Sequence, residues 1–273
     1  MKNTITTLFV ILGITFGFAQ ENDSPEFTGE NFSLEGALAM FKKAKNIEEF
    51  EDLINQENNN VNNLDLNNDG ETDYINVDDI QENDNHVIVL STYLSDTDVQ
   101  DIATIAIEKT GSESAILQID GDNSLYAENT IVEPLDTTDV PNNNGYGPAT
   151  PQITTNTIIV NVWLWPSVRY IYGPRYVLWK SPYRWRMHPK WWKPWRPFSY
   201  VIFYKKNIPH RAYFHKTPTR RVVVARKVYT PKRHTSTLVV HKNRGTTTIV
   251  HKNNRGKVKI AKTKKSPAKG RRH

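Results

Sequence analysis

The run Asp65-Leu66-Asn67-Asn68-Asp69-Gly70-Glu71-Thr72-Asp73-Tyr74-Ile75-Asn76-Val77 changes character partway along. Up to Asp73 it sets oxygen-bearing side chains at alternate positions around one glycine, as a tight loop does. From Tyr74 the apolar residues alternate, as on a strand with one buried face. Upstream the period is helical. Ser33 precedes Leu34, Ala37, Leu38 and Phe41, an i, i+3, i+4, i+7 stripe with a capping residue at its head. Asn46 precedes Ile47, Phe50, Leu53 and Ile54, with Glu49 in the capping-box position and Glu48, Glu49 and Glu51 near the positive end of the helix dipole. Downstream, residues 74–77, 87–93, 102–107, 115–119 and 131–132 read as short strands, with turn signals at Gly111 and at Asp120-Gly121-Asp122-Asn123. A helical pair followed by a small antiparallel sheet defines an acidic α+β domain over residues 33–136, with the helices on one face. Residues 20–32 read as a disordered lead-in.

The loop carries its own chemistry. When it curls, Asp65, Asn67 and Asp69 direct side-chain oxygens to one point and Glu71 adds its backbone carbonyl. Asp73 adds a carboxylate directly or through water, and Gly70 allows the sharp turn at the sixth position. The pattern resembles EF-hand-type calcium loops, and more closely the loops of dockerins and integrin-type propellers. It departs from the EF-hand at the twelfth position, which is Asn76 instead of a bidentate Glu, and at the eighth, Thr72. A strand follows where the EF-hand has a helix. The resemblance implies a structural Ca2+ site of the weak extracellular kind, with dissociation constants of about 10⁻⁴–10⁻³ M. The alternative is a plain Asn-Asp-Gly turn, although a turn does not need Asp65 and Asp73 as well.

Charge divides the 273-residue chain in two. All 29 acidic residues lie at or before Asp139, alongside five basic ones, a formal −24. Residues 140–273 hold the other 30 Lys and Arg and no Asp or Glu, a formal +30, so the overall +6 describes neither half. Residues 137–157 read as a linker. About twenty flexible residues reach about 25 Å, enough for the basic half to fold back. Over residues 158–216, a basic Trp/Pro/Arg-rich region, prolines recur too often for a long helix, and Val160–Trp165 alternates as a strand would. Arg184, Arg186, Lys190, Trp191, Trp192, Lys193, Trp195 and Arg196 belong to a segment that resembles, in composition only, Trp/Pro/Arg-rich antimicrobial peptides such as indolicidin. The resemblance implies affinity for membrane interfaces and polyanions. Guanidinium groups pair bidentately with phosphate, Trp suits a headgroup boundary, and aromatic rings stack on bases or sugars. The same rings would also make the core of a small second domain. Residues 217–256 read as short strands and hairpins, the sequence from Val239 to Gly245 being nearly repeated from Ile249 to Gly256. Residues 257–273 read as a disordered basic tail.

Residues 1–19 read as a signal peptide: Lys2, an apolar run from Leu8 to Phe18, and Gly17-Phe18-Ala19 ahead of a cleavage point at Gln20. That run is too short for a hydrocarbon core of about 30 Å, and an uncleaved anchor is the alternative. The absence of Cys excludes disulfides, thiolate metal sites and a lipidated cysteine. The leader, the Ser33–Phe41 helix, the Asp65–Asp73 loop and the Trp/Pro/Arg segment together resemble a group of exported Bacteroidetes proteins. That resemblance implies export and the two-part layout and supplies no catalytic residues. The chain has no Gly-x-Ser-x-Gly elbow, phosphate-cradling Gly loop or His-Glu-x-x-His helix. The basic half has no carboxylate to act as a base, so no enzyme is expected. The sequence therefore predicts an exported, non-enzymatic binding protein of the periplasm, cell envelope or outer surface. A calcium-stabilised acidic domain would carry a basic aromatic arm for polyanions such as lipopolysaccharide, acidic polysaccharide or nucleic acid, with peripheral membrane contact. The alternative is a structural or assembly protein whose acidic and basic halves pair within or between chains.

Overall fold

The computed structural model describes residues 24–135, 159–236, 238–243, 246–252 and 258–264. The signal-peptide and linker expectations lie outside the described residues, as does the end of the basic tail.

The caps start the helices where the sequence predicts. Ser33 Oγ accepts from the Gly36 amide at 3.0 Å, opening α1 (Leu34–Lys43). Asn46 Oδ1 accepts from the Glu49 amide at 2.7 Å, opening α2 (Ile47–Ile54). Glu49 reaches back to the Lys45 amide at 2.8 Å, one residue earlier than a strict capping box. Five strands follow as an antiparallel meander: β1 (Asn76–Glu82), β2 (Asn85–Tyr93), β3 (Val99–Gly111), β4 (Ser114–Gly121) and β5 (Ile131–Pro134). The class is α+β, as expected. Tyr74 and Ile75 are not part of β1, because tertiary partners take this stretch: the Asp73 amide donates to Leu64 O and the Ile75 amide to Asn55 Oδ1.

The sheet does not end with the acidic half. A sixth strand, β6 (Phe214–Thr217), comes from the basic half and pairs with β5, from Ile131↔Thr217 to Pro134↔Phe214. On the first face, α1 and α2 bury Leu38, Phe41, Phe50 and Ile54 against Ile88, Leu90, Ile105 and Ile119. Val162, Trp165, Val168, Ile171, Phe214 and Val239 of the basic half belong to that same core. The expected strand at 160–165 is instead an Asn-centred turn, in which Asn161 Oδ1 accepts from the Ala115 and Trp163 amides at 3.1 and 3.0 Å. Pro166 then starts α3 (Pro166–Ile171), in the first-turn position that suits proline. Ser167 Oγ on α3 donates at 2.6 Å to Phe41 O, a carbonyl in the last turn of α1.

The second face explains the other departures. Val87, Val89 and Ala106 point away from the helical pair and are covered by Val222, Ala225 and Tyr229. The cover is a helix, α5 (Val224–Tyr229), where the sequence suggests strands. Its first amides, Val224 and Ala225, donate to Glu108 Oε1 on β3 at 2.6 and 3.1 Å. That cap lies 116 positions earlier in the chain, so no local pattern announces the helix. Before β6 lies α4 (Tyr200–Lys206), followed by a 3-10 turn at Ile208–Ala212. The near-repeat forms strands β7 (Val240–Asn243) and β8 (Thr246–Lys252) in a three-stranded antiparallel sheet. Its third strand, β9 (Val258–Lys264), falls in the stretch expected to be a disordered tail; Val258 and Ile260 alternate there with Lys259 and Ala261. The Val240 amide donates to Leu66 O at 2.7 Å, joining β7 to the 65–73 loop.

The expectation of an acidic domain with a tethered basic region gives way to one sheet covered on both faces, the first by the helical pair together with residues of the basic half and the second by the basic half. Phe214→Ala should therefore cost about 3–5 kcal/mol and lower a single thermal transition shared by both halves. A separate melting step confined to residues 159–236 would contradict this.

Candidate functional site

The halves meet through carboxylates. Arg220 and Arg233 grip Asp120 and Asp122 with two nitrogens each, one contact of each pair lying at 2.8 and 2.6 Å. Arg226 approaches Asp120 at 3.4 Å and Arg221 meets Glu133 at 3.1 Å. His234 lies 3.4 Å from Asp101, and His215 lies 3.3 Å from Glu133. Aromatic groups and hydroxyls meet the most deeply buried acids. Glu51 accepts from Tyr74 Oη at 3.2 Å, from the Trp179 indole at 3.0 Å and from Ser181 Oγ at 2.6 Å. Asp79 accepts from Tyr176 Oη and Asp101 from Tyr229 Oη, both at 2.7 Å. Burial, more than the adjoining carboxylates, pushes both tyrosine hydroxyls well up, so they remain donors at neutral pH. Burial also pushes Glu51 up to about 7, against the pull of its donors.

The proline-rich segment 179–198 bridges β1 at Lys180, opposite Asp78, but its prolines keep it from continuing as a strand, so its other backbone groups need other partners. Side chains of the acidic half supply them. Asn76 Nδ2 donates to Ser181 Oγ and Tyr183 O, both at 2.8 Å. Thr72 and Trp195 exchange bonds at 2.9 and 3.1 Å. Asn63 Oδ1 accepts from the Phe198 amide at 2.8 Å, and its Nδ2 donates to Phe198 O at 3.0 Å. Trp192 is only 7 % exposed and packs edge-on to Tyr74 at 5.1 Å and against His188 at 4.5 Å. It serves as core and is not available to stack on a ligand. Trp195 is half-buried against the loop, and its indole nitrogen is a buried donor without a partner among the described residues. Burial holds His188 below its ordinary value, so its imidazole is neutral at pH 7.

Between segment 184–194 and the 65–73 loop lies a groove of about 610 Å³. Asp69, Glu71 and Asp73 line one side and Arg184, Arg186 and Trp192 the other. Arg184 and Met187 exchange backbone hydrogen bonds at 3.1 and 2.9 Å, closing a tight turn. At its third position Arg186 sits at φ +59°, in the left-handed region that costs a side-chain-bearing residue about 1–2 kcal/mol. Its guanidinium lies over Trp185, 5.5 Å from the ring centroid. Met187 is 63 % exposed and Trp191 47 %. Lys190, Lys193 and Arg196 are also exposed. Among the described residues, no ion pair takes in Arg184, Arg186, Lys190, Lys193 or Arg196.

The loop is closed by its own side chains. Asp65 accepts from the Asp69 and Gly70 amides at 3.0 and 3.1 Å, and Asp69 Oδ1 accepts from the Glu71 amide at 2.9 Å. Asn67 Oδ1 accepts from the Asp69 amide at 3.0 Å, and its Nδ2 donates to Asp69 Oδ2 at 2.8 Å. Gly70, at φ +93°, makes the turn that a side chain would strain. Asp73 is buried and accepts from the Leu66 amide at 2.6 Å. Burial, then repulsion from Asp65 and Asp69, pushes it up to about 8. Sequence reasoning finds these loop residues and the exposed cations. It misses Asn63, Thr72 and Asn76 as anchors, and the signal for the two asparagines is the excess of Asn around the loop.

No protein-family model, curated protein or solved structure matches the chain. The fold and the groove therefore carry the functional argument by themselves.

Glu51 has a pH signature. Its folded-state value of about 7 exceeds the ordinary 4.5, so the stability it contributes is full below about 4.5 and is lost as pH rises through about 7. Glu51→Gln removes that loss. Denaturant midpoints at pH 5 and pH 8 should show the variant gaining on the natural protein as pH rises; an equal offset at both pH values would refute the assignment.

Proposed function

We propose that the chain is an exported, non-enzymatic binding protein of the cell envelope or surface. In this reading the groove beside the 65–73 loop takes the anionic groups of a polyanion such as lipopolysaccharide, acidic polysaccharide or nucleic acid. The observation that carries it is the division of labour among the cations. Arg220, Arg221, Arg226 and Arg233 already have carboxylates, whereas Arg184, Arg186, Lys190, Lys193 and Arg196 face outward beside exposed Met187 and Trp191. Guanidinium pairs beside an exposed indole suit phosphate at an interface.

Ca2+ belongs to this reading. Asp65, Asn67, Asp69 and Asp73 would hold it, with the Glu71 carbonyl. The fit rests on the loop bringing Asp73, a buried carboxylate, beside Asp65 and Asp69; burial first, and then their repulsion, disfavours its charged form, and a divalent cation would offset this. Bound there, the ion would fix the loop and add positive charge to the groove wall. Millimolar Ca2+ should raise the melting temperature of the full chain, and Asp69→Ala should abolish the rise. No shift in the natural protein would remove Ca2+ from the account.

Binding to lipopolysaccharide, heparin and single-stranded DNA should weaken steeply with salt. For nucleic acid, each lost phosphate contact lowers the log–log salt slope by about 0.7–0.9. Arg184→Ala, Arg186→Ala, Lys190→Ala and Lys193→Ala together should flatten the slope while leaving the melting temperature near that of the natural protein. Unchanged affinity for all three polyanions would overturn the reading. A second reading, a structural or assembly role for the paired halves, is favoured by the ion pairs at Asp120, Asp122 and Glu133. It requires salt-sensitive compaction or oligomerisation, which scattering detects.

A further inference from the structure

We infer that a second site, separate from the cationic groove and independent of the reading above, binds a neutral, hydroxyl-rich saccharide. It is a cavity of about 570 Å³, within the roughly 300–1,000 Å³ usual for small-ligand sites. It lies where α4 and the turn after it pass the 3-10 turn Thr28–Asn31 at the start of the described chain. Both halves line it: Glu30 and Glu35 from one, Tyr200, Tyr204, Asn207 and Arg211 from the other.

Asn207 is the informative residue. It is 2 % exposed, and its Oδ1 has no hydrogen-bond partner among the described residues. Asn207 lines a cavity large enough for a ligand, and a turn of its side chain toward that space would give the buried oxygen the donor it lacks. The floor is rigid. The Tyr126 ring is buried, its hydroxyl donates to Phe32 O at 3.0 Å, and it lies so close to Gly29 and Gly121 that a Cβ on either would come within 2.5–2.6 Å of ring atoms. Tyr200 Oη donates to Glu30 at 3.3 Å, and the Arg211 guanidinium stacks 3.7 Å from the Tyr204 ring centroid, so the polar groups of the wall are held in place.

The ligand chemistry follows from what is mixed together. Glu30 and Glu35 oppose an anion, while Arg211 and the neighbouring Lys216 oppose a cation. Carboxylates and the Asn207 carbonyl ask for donors; the guanidinium and ammonium ask for acceptors. A hydroxyl group is both, and a sugar ring carries several of them around an apolar C–H face that the flanking tyrosines can cover. A neutral saccharide satisfies all of these at once. A polyanion or a polyamine leaves one set of charges opposed.

The test is an array of neutral and acidic oligosaccharides, with short peptides included, probed with the full chain and followed by calorimetric titration of the best neutral trisaccharide. Binding should be in the millimolar range or tighter, and Asn207→Ala and Tyr204→Ala should each weaken it about tenfold, the loss of one or two good contacts. Tyr204 is exposed, so its variant should keep the natural melting temperature even if Asn207→Ala does not fold. Arg186→Ala, in the other groove, should change nothing. Any of three results would overturn the proposal: no neutral saccharide bound at 10 mM, binding unaffected by Tyr204→Ala, or a peptide or acidic oligosaccharide as the ligand that Tyr204→Ala releases.

Discussion

The rest of the structure depends on the burial of carboxylates on a sheet that cannot solvate them. Asp101 and Asp79 are almost wholly buried on central and edge strands, and Asp120, Asp122 and Glu133 are nearly so. A carboxylate removed from water without donors is strongly unfavourable. Residues 24–135 provide partners for three of them, His86 for Asp79, Gln118 for Glu133 and Ser124 for Asp122; residues 159–236 add Tyr176, Tyr229, Arg220, Arg221 and Arg233. The lopsided charge of the sequence is thus the linear record of a paired arrangement in space. Such pairs set register and mutual recognition more than net stability, since their Coulomb gain is largely offset by desolvation. The driving force is the apolar cover, with Val168, Ile171 and Phe214 on one face and Val222, Ala225 and Tyr229 on the other.

The same logic sorts the cations by role. Those from Arg220 onward that lie over the second face are neutralised and structural. Those between Arg184 and Arg196 sit on a segment whose backbone is pinned by Asn63, Thr72 and Asn76, leaving the side chains outward. Pinning an irregular chain by short amides costs little entropy, because these side chains have few rotamers to lose. It also accounts for how Arg186 keeps a left-handed backbone: both ends of its turn are held by the Arg184–Met187 bond pair. Strain of this kind, beside an acidic loop, marks a place where side-chain direction matters more than local stability.

Where a local pattern specifies a local structure, the sequence is legible. Ser33 and Asn46 announce α1 and α2, and the short apolar runs between turn signals from Asn76 to Ile119 announce the meander. What the pattern could not show is what covers the sheet. Val87–Leu90 and Ile102–Ile107 are nearly continuous apolar runs, buried on both sides, which is the mark of a strand covered twice. One helical pair covers one face, so these runs already required a second cover that residues 33–136 do not contain. β6 and α5 were illegible because their determinants are distant: β5 as an edge to join and Glu108 as a cap. At the site, the loop residues and exposed cations were readable from composition and spacing. Trp192 was not, because its burial depends on Tyr74, which arrives from the other half.

The central claim is that the acidic and basic halves form one cooperative structure. Native-state hydrogen exchange tests it most directly at three amides that cross between them: Ser181 to Val77 O, Asp101 to His234 O and Leu135 to Tyr213 O. The account predicts that these exchange as slowly as the central amides of β2 and β3, by global unfolding. Rapid exchange at the three crossings, with β2 and β3 still protected, would contradict it.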